Sequence, residues 1–221
     1  MIAKLILSST PEPVRLSDSG SDILYHLDEN HLDDIPVVNK GLLVGSVKES
    51  DIYTLDDPDK PLSSQKVTLA RAFVYEYQPI LDVLKVFASS KLTVLPVVDE
   101  KEHYSGCITL KKAVSEMAEI LAVDNPGAFI VLELNQNDYV LSQIAQIVES
   151  QDSKILNLFV TPLPDSTMAE VIIKVNTREI QALIQTFNRY NYIIKATYTE
   201  DEQMHDDLRD RYDSLMRYLS I

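Results

Sequence analysis

The sequence predicts an α+β protein in which two β-α-β-β-α repeats are followed by a βαββαβ domain and a C-terminal helix. Three observations predict this fold class: an internal repeat in the first half, a change of pattern after the turn sequence at 124–127, and an amphipathic tail. A chain of 221 residues is long enough for one or two domains that bury their cores without disulfides or metal ions.

Charge and composition exclude several classes of function. Acidic residues outnumber basic ones by 34 to 20, and a formal net charge of -14 disfavours binding to the phosphate backbone of nucleic acids. One cysteine and four scattered histidines show no metal-site spacing, and a lone cysteine indicates a reduced, cytoplasmic protein. No apolar run is long enough for a membrane span and the first residues lack a cleavage pattern, so we expect neither membrane insertion nor export.

The internal repeat aligns residues 22–38 with residues 82–98 without a gap, and six of the seventeen positions are identical. In each copy, apolar residues at helical spacing precede a β-branched run, IPVV or LPVV. A turn residue, a second strand (LLVGSV or SGCIT) and a second helix follow. The first domain is thus predicted to span 1–123, with copy one at 1–55, a linker at 56–66 and copy two at 67–123.

The second domain is predicted at 127–199. Strand patterns alternate with two helical patterns, the second of which spans 178–189 and is capped by Asn176 or Thr177. The resulting βαββαβ order is that of the split-βαβ, ferredoxin-like fold, in which two helices cover one antiparallel sheet. The tail at 203–219 is predicted to be a helix, with an apolar stripe formed by Met204, Leu208, Tyr212, Leu215 and Leu219.

Each repeat resembles the CBS motif, because an Asp-x-Leu helix is followed by hydrophobic-Pro-Val-Val-Asn/Asp and then by Gly-x-hydrophobic. Two such motifs resemble a CBS pair, or Bateman module, whose clefts bind adenosine-type ligands such as AMP, ATP or S-adenosylmethionine. The second domain resembles ACT-type regulatory domains. The domain order of the chain, a CBS pair followed by an ACT-type domain, is similar to that of the AcuB-like group, which is named after acetoin utilisation. This resemblance implies a regulatory protein rather than an enzyme.

In that family a cleft ends in Gly-x-h-Ser/Thr-x-x-Asp, where h is hydrophobic, the hydroxyl meets a phosphate and the Asp binds ribose. Copy one keeps Asp51 but has Lys48 in place of the hydroxyl, whereas copy two keeps Thr109 but has Lys112 in place of the Asp. The lysines either serve a phosphate-bearing ligand or are solvated surface charges. For Pro36 and Pro96 two interpretations are open: the backbone beside the proline contacts adenine, or the proline merely ends the hydrogen-bond ladder at a strand edge. The predicted cleft residues are Pro36, Lys48, Asp51, Pro96, Thr109 and Lys112.

A second, weaker candidate site follows the first strand of the ACT-like domain. ACT domains that bind amino acids usually have a glycine there, but this sequence has Asn135, Asn137 and Asp138. These residues either bind the ammonium group of a small ligand or form an ordinary turn and helix cap.

Catalytic motifs are missing from the sequence. It has no Gly-x-Ser-x-Gly elbow, Walker sequence, HExxH or GxGxxG, so we predict no catalytic residue, metal ion or cofactor. His31, Asp33 and Asp34 are predicted to form a solvated turn, and Cys107 to be a small core thiol.

The combined expectation is a cytoplasmic homodimer that senses small molecules and passes its state to an unknown protein partner. The alternative is a dimeric interaction scaffold whose CBS clefts are degenerate and empty. The tail helix is expected to pack in the dimer or to fold back on the ACT-like sheet.

Overall fold

The structure, a computed structural model, describes residues 1–199. The chain forms two compact units, one over Met1–Ala118 and the other starting at Glu119. The predicted tail helix at 203–219 lies outside the described residues. Within residues 1–199, no helix combines the length and the apolar character needed to cross a lipid bilayer.

The first unit contains both repeats in the predicted β-α-β-β-α order. Copy one consists of β1 (Val14–Arg15), α1 (Gly20–Asn30), β2 (Asp34–Asn39), β3 (Leu42–Lys48) and α2 (Glu49–Ile52). Copy two consists of β4 (Val74–Tyr75), α3 (Ile80–Ser90), β5 (Val94–Val98), β6 (Tyr104–Thr109) and α4 (Leu110–Ile120). In each sheet the middle strand pairs in parallel with the first strand and antiparallel with the third. The two copies therefore share one topology.

Local chemistry fixes the bounds of the first helix in each copy. At the start of α1, Ser19 and Asp22 form a capping box, in which each side chain accepts a hydrogen bond from the other residue's backbone N–H. The helix ends at His31, which adopts the left-handed conformation with a φ of 53°. Lys91 ends α3 in the same conformation, with a φ of 56°. Equivalent positions thus share backbone geometry as well as sequence pattern.

Each copy completes its core with a segment that precedes the other copy in the sequence. Ala3 and Ile6 lie in a short 3-10 turn and are buried in the core of copy two. Leu62 is buried in the core of copy one, where Leu69 also packs. Leu62 belongs to the segment 56–66, which the sequence predicted to be a linker. Each core is therefore completed by a segment that lies outside that copy's own strands and helices.

The exchanged segments run beside the third strand of each copy. Ser46 and Ala70 donate backbone hydrogen bonds to each other's carbonyl oxygens at 2.9 and 2.8 Å, and Ser8 N donates to Cys107 O at 2.7 Å. At Gly45, where φ is +156°, an added Cβ would lie 2.9 Å from the carbonyl oxygen of Ala70. This close approach of two backbones requires glycine.

Asp34 joins the two copies at the start of their middle strands. Its side chain is buried, and the carboxylate accepts hydrogen bonds from Thr93 N at 2.6 Å, Thr93 Oγ1 at 2.8 Å and Val94 N at 3.0 Å. The predicted solvated turn is therefore wrong for Asp34, which is the first residue of β2. Burial raises the pKa of Asp34, and the hydrogen bonds from Thr93 and Val94 and the charge of Lys48 only partly offset this effect.

The second unit has the predicted βαββαβ order. Its elements are β7 (Ala128–Asn135), α5 (Leu141–Glu149), β8 (Ile155–Pro162), β9 (Met168–Val175), α6 (Gln181–Arg189) and β10 (Ile193–Thr199). The four strands form one antiparallel sheet in the order β10-β7-β9-β8. Alternate residues of β7 and β9 share a core with the apolar sides of α5 and α6, so one face of the sheet carries both helices.

The start of α6 differs from the prediction. The helix begins at Gln181, three residues after the predicted start at Arg178, and its N-cap residue Ile180 makes no side-chain capping bond. The two expected caps are engaged elsewhere: Asn176 Oδ1 accepts a hydrogen bond from Lys154 N at 2.7 Å, and Thr177 Oγ1 accepts one from the backbone N–H two residues later. A tertiary contact of Asn176 and a local turn at Thr177 therefore displaced the predicted cap.

We predict that Gly45→Ala destabilises the first unit by roughly 2–4 kcal/mol, because the new Cβ must push the backbone of Ala70 away. Gly41→Ala is the matched control, since Gly41 also has a positive φ, of +83°, but has no atom within 4 Å of the added Cβ. The control should lose only about 1 kcal/mol. Urea denaturation of the three proteins measures both losses, and equal losses would contradict the close-approach explanation.

A second prediction concerns the pH dependence of stability. Because its pKa is raised in the folded state, the Asp34 carboxyl favours the native state below its ordinary pKa of about 4, and this contribution is lost as the pH rises through the folded pKa. The free energy of unfolding of the wild type should therefore fall relative to Asp34→Asn over this window. Denaturation of both proteins at several pH values tests this, and a constant difference would refute it.

Candidate functional site

Both predicted cleft motifs lie where a strand passes into a helix. Lys48 is the last residue of β3 and precedes α2, and Thr109 is the last residue of β6 and precedes α4. Helix α2 has only four residues, whereas α4 has eleven. The free N–H groups and the dipole of a full helix attract anions, so copy two offers the better place for a phosphate.

The sheet register places the predicted residues of each copy on a common face. In copy one, Pro36 pairs with Ser46, and Asp34 pairs with Lys48. Directly opposed residues of antiparallel strands project to the same side of the sheet. The opposite side carries Ile35, which packs in the helix-covered core. Pro36 and Lys48 therefore lie together on the face away from that core.

The equivalent face of copy two has the same arrangement with different chemistry. Pro96 pairs with Cys107, and Val94 pairs with Thr109, while Leu95 points into the core. Copy one thus presents Asp34, Ser46 and Lys48 at positions where copy two presents Val94, Cys107 and Thr109.

A cavity of about 440 Å³ opens beside the motif of copy two. This volume is within the range typical of small-molecule sites, about 300–1,000 Å³. Hydroxyl and ammonium groups dominate the lining, which consists of Leu7, Ser8, Ser9, Thr10, Thr109, Lys111, Lys112 and Ser115. The structure thus brings two predicted residues, Thr109 and Lys112, into one cavity.

Existing contacts hold both predicted residues in place. Thr109 Oγ1 accepts a hydrogen bond from Lys112 N at 3.2 Å and so caps the first turn of α4. Lys112 Nζ lies 2.6 Å from a carboxylate oxygen of Glu116, one turn further along the helix. The Lys112 side chain is 44% exposed, so solvent weakens this ion pair and a phosphate can compete for the lysine.

Sequence reasoning missed the N-terminal side of this cavity. Ser8, Ser9 and Thr10 reach it because the N-terminal segment runs beside β6, with Ser8 N bonded to Cys107 O. The only sequence signal is three consecutive hydroxyl residues, and nothing in their local pattern indicates a contact with residues about one hundred positions later.

The cleft of copy one is arranged differently. A smaller cavity of about 140 Å³ lies next to Gly45 and is lined by Leu43, Val44, Gly45, Arg71, Phe73, Val98 and Glu102. Neither Lys48 nor Asp51 lines it. Ser46, on the same sheet face as Lys48, has a buried hydroxyl without a hydrogen-bond partner among residues 1–199. Ser46 of copy one and Arg71 of copy two are polar groups that the sequence motif did not indicate.

The predicted loop of the second unit borders a cavity of about 350 Å³. The lining residues are Glu133, Leu134, Asn135, Asp138, Gln143, Met168, Tyr190, Asn191, Tyr192 and Ile193. The Asn135 side chain accepts a hydrogen bond from Asn137 N at 3.0 Å and donates one to Thr167 Oγ1 at 3.1 Å, so it stabilises the turn. Asn137 is exposed and does not line the cavity.

The thiol of Cys107 lies in the protein core rather than in a reactive site. Cys107 is buried, and this burial raises the pKa of its thiol, which keeps the thiol protonated at neutral pH. Among residues 1–199, no cluster of three or more His, Cys, Asp or Glu side chains is arranged to hold a metal ion.

Comparison with known proteins identifies the repeated domain. The family model of the CBS domain matches residues 67–119. A search of curated proteins gives no significant match.

Among solved structures, the chain is similar to a CBS domain pair/ACT domain protein from Thermotoga maritima, with 26% identity and a TM-score of 0.49 over 54% of this chain and 98% of that one. It is also similar to CBSX2 in complex with AMP, with 23% identity and a TM-score of 0.47 over 54% and 97% of the two chains. A third similar structure is the CBS domain of the bacterial CNNM/CorC family Mg²⁺ transporter in complex with ATP, with 21% identity and a TM-score of 0.44 over 53% and 87%. Residues 67–119 are a CBS domain, and because copy one repeats its sequence pattern and topology, the first unit is a CBS domain pair.

Proposed function

We propose that this CBS domain pair protein is a non-catalytic regulator that binds a phosphate-bearing adenosine-type ligand in the cleft of copy two. One observation carries the proposal: the cavity of about 440 Å³ combines the Thr109 hydroxyl, two lysines and the start of a full-length helix. These are the groups that phosphate recognition needs. The resemblance of the motif to nucleotide-binding CBS clefts supplies the adenosine part.

The charges of this cleft select the ligand. Lys112 occupies the position where the family motif has the ribose-binding Asp, so a ligand meets a second cation and loses a carboxylate acceptor. Phosphate therefore contributes more to binding here than ribose does. AMP or ATP fits this chemistry better than adenosine, and S-adenosylmethionine, which carries no phosphate, is a weaker candidate.

In the cleft of copy one, the Lys48 ammonium would contact a phosphate and the Asp51 carboxylate would accept hydrogen bonds from the ribose. Support for this second cleft is limited to the placement of Lys48 at the end of β3 and the unpaired Ser46 hydroxyl on the same sheet face. We therefore assign the main site to copy two.

We predict that AMP stabilises the wild type and that adenosine does so much less. At 100 times its dissociation constant, a ligand that binds only the native state adds about 2.7 kcal/mol, which a thermal-shift screen of adenine nucleotides, S-adenosylmethionine and amino acids detects. Lys112→Ala should weaken AMP binding roughly 2–5-fold, as expected for one exposed charge contact worth up to about 1 kcal/mol. Lys85→Ala is the control, because Lys85 is an exposed lysine on α3 of the same copy and does not line the cavity.

Two outcomes would contradict this assignment. Equal affinity for AMP and adenosine, or unchanged affinity in Lys112→Ala, would remove the phosphate role. A gain of AMP affinity in Lys112→Asp would show that the native cleft has lost its ribose site, and it would favour the alternative of a scaffold with empty clefts.

We also propose that the second unit is an ACT-type regulatory domain and that the whole chain belongs with the AcuB-like group. The βαββαβ order and the cavity beside the loop that follows β7 support this proposal. The cavity lining contains the carboxylates of Glu133 and Asp138 and lacks a lysine or arginine. A small ligand with an ammonium group suits this lining, and Asn135 and Asn137 would shape the loop that holds it.

The exposed edge of the second sheet supports assembly as a homodimer. Strand β8 is an edge strand of eight residues without a charged side chain, and Phe159 and Val160 on it are 40% and 41% exposed. A long, uncharged, apolar edge pairs with another strand unless it is protected. A two-fold axis that places β8 against β8 of a second copy covers both edges in a closed dimer. Such a dimer would act in the cytoplasm on a protein partner whose identity is open.

We predict that the full chain sediments as a dimer of the 25.0 kDa protomer and that Val160→Lys converts it to a monomer. Val140→Lys is the control, because Val140 is similarly exposed but lies at the start of α5. Sedimentation of a chain ending at Glu202 tests whether the tail also contributes. A monomeric wild type contradicts the dimer, and a dimeric Val160→Lys protein contradicts the role of β8.

A further inference from the structure

We infer that Asp34 is a positioning residue for the cleft of copy two: its carboxylate, supplied by copy one, holds the first turn of α4 in the geometry that binds the ligand. This inference rests on the proposed function for its ligand, but its structural part does not. Asp34 does not line the cavity of that cleft, and no feature of the CBS motif pointed to it.

A short series of hydrogen bonds connects Asp34 to the cleft. The carboxylate accepts bonds from both the backbone N–H and the hydroxyl of Thr93, at 2.6 and 2.8 Å. The carbonyl oxygen of Thr93 in turn accepts a bond of 2.8 Å from Leu110 N, at the first residue of α4. Leu110 directly follows Thr109, whose hydroxyl lines the cavity. The position of the helix start therefore depends on Thr93, and Thr93 is fixed by Asp34.

This contact of the Asp34 carboxylate with Thr93, called the brace below, runs in one direction, from copy one to copy two. In copy one, the corresponding helix start is held by a bond of 2.9 Å from Glu49 N to the carbonyl oxygen of Asp33. The residue of copy two that corresponds to Asp34 is Val94, since each faces the last residue of the third strand in its own sheet. A valine side chain accepts no hydrogen bond. Thus Asp34 gives copy two a side-chain brace from the other copy, and Val94 cannot return it.

A buried carboxylate persists only where its hydrogen bonds and charge are balanced. Asp34 is 1% exposed, and its two oxygens accept three hydrogen bonds. Lys48 pairs with it in the sheet register, and the charge of Lys48 acts on it. The lysine in the hydroxyl position of copy one thus accompanies the acid that braces copy two. Asp34 and Lys48 differ from Val94 and Thr109, the equivalent residues of copy two, and they lie opposite each other on paired strands.

The test compares Asp34→Asn with Asp33→Asn, a neighbouring exposed residue given the same substitution. Asn keeps the size of Asp34 but removes the negative charge that strengthens the bonds from Thr93, and its amide nitrogen must face the N–H of Thr93 or of Val94, where it cannot accept. With AMP as the probe, at a temperature where all variants are folded, Asp34→Asn should bind about tenfold more weakly and Asp33→Asn should bind as the wild type does. Thr93→Val, which removes only the hydroxyl bond, should show a smaller loss, and its combination with Asp34→Asn should be less than additive.

Hydrogen exchange of the ligand-free full chain separates this inference from the proposed function. The amide of Leu110 should exchange faster in Asp34→Asn than in the wild type, while amides at the start of α2 stay unchanged. If the wild type does not bind AMP, the nucleotide proposal fails and the exchange result alone decides the positioning role. Unchanged protection of Leu110, or a uniform rise in exchange along the first unit, would overturn it. If Asp34→Asn does not fold, Thr93→Val provides the same comparison.

Discussion

The exchange of segments between the two CBS copies is the constraint on which the first unit depends. Ala3 and Ile6 fill the core of copy two, and Leu62 fills the core of copy one, so each core is completed by a segment outside that copy's own strands and helices. The same segments then continue along the third strands, where Ser8 and Ala70 bond to the motif strands. Core packing and cleft formation are therefore consequences of one chain path.

This path also explains why the two clefts differ. In copy one, the backbone of Ala70 forms two hydrogen bonds with Ser46 and approaches Gly45 closely. In copy two, the N-terminal segment makes one such bond, from Ser8 N, and then presents hydroxyl side chains to the space beside α4. The cavity beside Thr109 thus lies where the exchanged segment turns its hydroxyl side chains toward the start of the longer helix.

The sequence predicted the features that depend on local pattern. Alternation and helical spacing gave the element order of both units, and the repeat located the two motifs at their strand-to-helix junctions. It did not predict contacts that depend on the chain path. The local sequence around Ser8 to Thr10 does not indicate that these residues line a cavity. Asp34 lies in a sequence typical of a turn, and its buried role is visible only once β5 is placed beside it. Asn176 and Thr177 are good helix caps by type, but other contacts engage them first.

The net charge of -14 and the cationic cleft are compatible because they act over different distances. At physiological ionic strength the Debye length is about 8 Å, so most of the acidic surface is screened from a ligand held within the cavity. Lys111 and Lys112 line that cavity and act at contact distance, where screening is weak. A nucleic acid would instead have to place successive phosphates along the acidic surface and gain few released counterions. The same composition that disfavours a polyanion therefore still permits one small phosphate ligand at the start of α4.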